Sequence, residues 1–171
     1  MKLLKKLLAL TLVGVLALTL LTGCSDSSSA DIPEDNIAAS YVQALNNGAE
    51  KYTDPVLPTL YYSASLSDVT ANKLNVWLRW INNEDAVDTE EKRDDLIDAI
   101  EDKCKAEKKY ESVAVVVSEG DRAPDYKELY EKTDAYCSAD KVAIIRIKNE
   151  VENGGDGKTY TMIELYKDIS K

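Results

Sequence analysis

Two short stretches of this 171-residue chain leave the backbone little choice of conformation. Ser112–Ser118 and Val142–Ile147 are continuous runs rich in Val and Ile. β-Branched side chains are stiff about χ1 and pack well on a pleated surface. An unbroken apolar run is what a strand covered on both faces requires. Between the two runs, Pro124 can open a helix in which Tyr126, Leu129, Tyr130, Thr133 and Cys137 share one face. Segment 112–147 therefore reads strand, helix, strand. Such a βαβ unit places its strands as parallel neighbours joined by a right-handed crossover. Asn153-Gly154-Gly155-Asp156-Gly157 is turn sequence, and Tyr160–Tyr166 is a third strand that closes a C-terminal hairpin.

Upstream the period changes from two to 3.6. From Asp35 to about Asn47, the residues Ile37, Tyr41, Val42 and Leu45 fall on one helical face, and Gly48 is a fitting stop. Residues 50–66 carry Pro55, Pro58 and three tyrosines and read as an irregular or extended connection. Ser67 can cap a helix over 68–82 with Leu74, Trp77, Leu78 and Ile81 on one side. The alternation of Val76, Leu78 and Trp80 leaves a strand open there. Asp88 and Glu91 form a capping box for a helix from 89 to about 109, with an inner stripe of Leu96, Ile97, Ile100 and Cys104. The expected fold is α+β (mixed α/β): about four helices packed on a small sheet of about three strands. Residues 34–171 form a single domain, with no internal repeat.

The N-terminus follows different rules. Lys2, Lys5 and Lys6 make a positive start, and Leu7–Leu21 is apolar apart from Thr11, Gly14 and Thr19. This is the charged-then-apolar pattern of a signal peptide, shorter than the roughly 20 apolar residues a spanning helix needs. It ends in Leu21-Thr22-Gly23-Cys24, which resembles the lipobox of bacterial lipoproteins. The resemblance covers residues 1–24. It implies that a diacylglyceryl group is carried on the Cys24 thiol, that the chain is cleaved after residue 23, and that the new amine is acylated. One acyl chain holds a protein to a bilayer only marginally, whereas two anchor it stably. The partner so implied is the lipid bilayer, at the extracytoplasmic face of the cell membrane. Residues 24–33, rich in Ser and Asp, read as a flexible linker.

Removing residues 1–23, with three lysines and no acid, leaves 18 Lys and Arg against 31 Asp and Glu, a formal charge of −13. Such a surface repels nucleic acid. Cys104 and Cys137 remain, 33 residues apart. Outside the cytoplasm paired thiols tend to become disulfides, so a Cys104–Cys137 bridge is expected. In a βαβ unit both cysteines sit near the ends of helices that lead into neighbouring strands, at one edge of the sheet. Such a loop is worth roughly 3–4 kcal/mol in the chain-entropy model.

The chain has no histidine, which removes Ser-His-Asp and Cys-His catalysis and makes a zinc site improbable. No phosphate-cradling glycine loop and no nucleophile-elbow motif is present, and no cofactor or metal is implied. The acid-dense Asp85–Asp95 stretch lacks the spacing of a calcium loop and suits a helix N-terminus. Glu119, Gly120, Asp121 and Arg122 follow the first strand, where α/β sheets often hold ligands, but an ordinary turn with a helix cap is the favoured reading of them. Tyr52, Tyr61, Tyr62, Trp77 and Trp80 could stack on a sugar or grip a protein. In a chain without Phe they serve the core first. Three functions fit this inventory: a non-catalytic binding or accessory domain with a protein or glycan partner, a carboxylate-based hydrolase of cell-wall or glycan substrates, and an acidic inhibitor of a basic hydrolase or toxin.

Overall fold

The computed structural model describes residues 31–120 and 123–170. The signal segment, Cys24 and most of the linker lie outside the described residues, as do Asp121 and Arg122. The fold is α+β. Among the described residues, five α-helices pack on the two faces of a four-stranded sheet: α1 (Asn36–Ala49), α2 (Ala64–Ile81), α3 (Glu90–Lys108), α4 (Lys127–Glu131) and α5 (Thr133–Ser138). The strands are β1 (Tyr61–Tyr62), β2 (Tyr110–Glu119), β3 (Lys141–Lys148) and β4 (Thr159–Asp168), in spatial order β1-β3-β4-β2. Among these residues no helix is long and apolar enough to cross a membrane.

The hairpin of β3 and β4 forms as expected, but the βαβ unit is split. β4 runs antiparallel to both β2 and β3, so those two are parallel yet not neighbours. Burial explains the insertion. Every residue from Tyr160 to Tyr166 is buried, and only a central strand is covered on both faces. Ile163 and Leu165 face α1, α4 and α5, where Leu45, Leu129, Tyr136 and Ile144 complete the larger core cluster. Met162 and Tyr166 face α2 and α3, with Leu66, Leu74, Leu78 and Cys104.

Several boundaries move for local reasons. α2 begins at Ala64, not near 68, because the Ser63 side chain accepts the Leu66 amide; Ser67 is buried and donates to the Ser63 carbonyl. Thr89, not Asp88, caps α3 by accepting the Lys92 amide, while Asp88 pairs with the Lys92 ammonium. Gly48 does not stop α1, which continues to Ala49. It is small because a Cβ there would collide with the Tyr130 hydroxyl, which donates to the Leu45 carbonyl at 2.8 Å. Asn46 grips both main-chain groups of Leu60 at 3.0 Å and ties the proline-bearing connection to α1. The domain starts earlier than residue 34. Pro33 is buried, and the Asp31 carboxylate accepts the Ala64 amide at 2.9 Å.

The Cys104–Cys137 disulfide is not formed. Both thiols are free, Cys104 buried and Cys137 exposed. The expected single helix breaks at Lys132 (φ −83, ψ 55), and the phase change turns Tyr136 inward and Cys137 outward. Cys104 packs with Ala143 and Tyr166 on one face of the sheet, whereas Tyr136 packs with Val142 and Leu165 on the other. The helices leading into β2 and β3 thus approach from opposite sides.

Candidate functional site

Within the α2-facing core, the apolar side chains of β4 are interrupted by Glu164, which is 1% exposed. An isolated carboxylate there would be far too costly to ionise, so the chain surrounds it. Lys73, 3% exposed on the inner face of α2, places Nζ 2.5 Å from Glu164 Oε1. The Ser112 hydroxyl donates to the same oxygen at 2.6 Å. Thr70 and Tyr166 hydroxyls donate to Oε2 at 2.8 and 2.6 Å. A carboxylate has about four lone-pair directions, and all are used. Burial, and then the Glu164 charge, pushes the Tyr166 hydroxyl well above the ordinary tyrosine range, so it stays a donor. Burial likewise raises the Cys104 thiol beside this network, against the opposing pull of Lys73.

Lys73 also reaches Glu101 on α3 at 2.7 Å, and here the network meets solvent. α3 offers the sheet only a narrow stripe. Cys104 is buried, Ile100 and Ile97 are half-buried, and Leu96 is exposed. Its N-terminal half leans on α2 instead, with the Arg93 guanidinium 4.3 Å from the Trp80 ring centroid. A groove of about 290 Å³ is left between α3 and β2. Val115, Val117 and Met162 form its floor, Ile97, Asp94 and Arg93 one wall, Trp77 the other, and Lys73, Glu101 and Glu164 its deep end. An apolar cleft with a few convergent polar groups is the usual form of a binding site.

A second concavity, about 550 Å³, opens where α1 and α2 begin beside β3. It is larger, but its charges already serve the fold. Asp31 accepts the first amide of α2, and Asp35 caps α1 while holding Arg146 at 3.1 Å. Partial burial opposes ionisation of Asp35, but the Ile37 amide and Arg146 outweigh it and hold its carboxyl below the usual range. Ile144 in this concavity is 1% exposed. The smaller groove is therefore the candidate site.

Of the residues singled out from sequence, Cys24, Asp121 and Arg122 fall outside the described residues. Glu119 pairs with Lys158, and Gly120 closes the β2–β4 ladder with its amide on the Thr159 carbonyl; neither lines either of these two concavities. The aromatic residues do not form one cluster. Trp77 and Trp80 stay together with ring centroids 6.4 Å apart, Trp77 also on Tyr160 and Trp80 under Arg93, whereas Tyr52 packs on Tyr130, Tyr61 lies near Lys141 and Tyr62 lines the larger concavity. Lys73 and Glu164 had one signal in the sequence: an acid inside an otherwise apolar strand run, which demands a buried partner. Comparison with known protein families, with curated proteins and with solved structures finds no match.

Proposed function

We propose that this chain is a bacterial lipoprotein, held by acyl chains on Cys24 at the extracytoplasmic face of the membrane, and that its domain binds a partner there without transforming it. The anchor rests on the lipobox pattern Leu21-Thr22-Gly23-Cys24. The binding role rests on the state of Glu164. A glycan hydrolase needs two carboxyl groups flanking its substrate, one of them free to give a proton. Of the three carboxylates that line the groove, Asp94 is held by Arg93, Glu101 and Glu164 have Lys73 between them, and Glu164 is saturated by four donors. A side chain so fastened makes a rigid floor, with no lone pair left free to attack a substrate. The test is fractionation of cells expressing the chain and its Cys24→Ala variant. The parent sediments with membranes and the variant does not; equal sedimentation contradicts the anchor.

A further inference from the structure

The sheet ends at β2. Its outer side, ten residues long, pairs with nothing among the described residues. The Gly120 amide donates to the Thr159 carbonyl at 2.7 Å. In this antiparallel ladder that contact turns residues 114, 116 and 118 toward β4 and points the main-chain groups of Val115, Val117 and Glu119 outward. Natural proteins blunt such edges with charges, bulges or a covering element. Here the ends are blunted, by the bulge between Ser112 and Ala114 and by Glu111 and Glu119. The centre is not, and Val115 is 41% exposed.

The open edge and the groove are one feature. Val115 and Val117 supply unpaired amides and carbonyls on one side and the groove floor with their side chains. An extended segment laid along β2 would complete the ladder, and every second side chain would drop between β2 and α3. This is the geometry of strand addition, in which main-chain bonds give affinity and the pocket gives specificity. Charge decides the occupant. Glu111, Glu119 and Asp94 beside the strand each already hold a cation, Lys105, Lys158 and Arg93, so the preference comes from the acidic surface as a whole. The processed chain carries −13, so a second copy would bring like charges together. We infer that the outer edge of β2 takes an extended segment of a partner protein, apolar at alternate positions and flanked by Lys or Arg. This deepens, and rests on, the binding role proposed above.

The test uses the full chain extracted from membranes into detergent micelles, and a synthetic peptide of three valines alternating with threonines between lysine pairs. Saturating peptide should slow amide hydrogen exchange at Val115 at least tenfold in the parent, with the same protection at Val117. Val117→Pro removes one outward N–H and leaves the β4 ladder intact, and Val115→Lys places a charge on the exposed centre; each should weaken binding at least tenfold. Glutamates in place of the peptide lysines should do the same. Unchanged exchange at these amides with millimolar peptide overturns the inference. So does protection confined to the Asp31–Asp68 concavity, or a concentration-dependent dimer of the chain alone that protects the same amides. A chain that binds peptide but does not sediment with membranes fails the anchor and keeps the docking; the reverse pattern fails the docking alone.

Discussion

At the scale of single residues, Lys73 and Glu164 are the pair most revealing of how this domain is held. They are 91 positions apart, nearly without solvent contact, and joined at 2.5 Å. Removing one member of a buried pair strands the other, at a loss of about 3–5 kcal/mol, while replacing both with apolar groups is often mild. Lys73→Met should therefore lower the free energy of unfolding by about that amount. The double variant Lys73→Met with Glu164→Leu should lose less than the single one, as read by denaturant titration. Either residue was visible in the sequence as a charge on an apolar face. Their pairing was not, because it depends on how α2 lies across β4.

At the scale of elements, local chemistry reads well and long-range order does not. The Val- and Ile-rich runs became β2 and β3, and the Tyr160–Tyr166 run became β4, because β propensity is carried by the segment itself; two-sided burial is not, and β2, expected to be covered on both faces, is an edge strand with Val115 exposed. The neighbour of each strand is set by which run can be covered on both faces, and β4 took the centre. The break at Lys132 carries no Pro or Gly to announce it, and it reversed the reading of Cys137. The groove was out of reach for the same reason, since it arises where α3 leans on α2 and leaves the sheet. The thiols report on this directly. In the native, unreduced protein a disulfide-exchange reagent should modify Cys137 at once and Cys104 only on unfolding. Absence of any reactive thiol until reduction would mean that the two are paired.

At the scale of the whole molecule, the sheet separates two tasks. The described chain begins at Asp31, beside the end of the sheet where β1 pairs with β3, and the open strand β2 is at the opposite edge. Seven residue steps separate Cys24 from Asp31, no more than about 25 Å of extended chain. The proposed anchor would thus hold the β1 side toward the bilayer and leave β2 to meet a partner. Stability should also follow one global pattern with pH. Burial, with Tyr52 adding to it, raises Tyr130 to about 12; burial, and then Asp156, raises Tyr160 to about 12. Burial also raises Tyr126, Tyr136 and Tyr166, and Cys104 among the thiols. A raised native pKa gives stability that is complete below the unfolded value and fades as pH climbs toward the folded one. The unfolding midpoint should hold steady through neutral pH and fall continuously above about pH 9, where unfolded thiols and then phenols ionise first. A midpoint unchanged to pH 11 would contradict that reading of the core.

The central claim is that fatty chains on one sulfur fasten this acidic domain to a membrane, and intact mass spectrometry of the membrane-extracted protein tests it most directly. The predicted result is a polypeptide that starts at Cys24 and carries the added mass of a diacylglyceryl group, with or without a further acyl chain. A polypeptide of unmodified mass, whether it starts at Cys24 or retains residues 1–23, would contradict it.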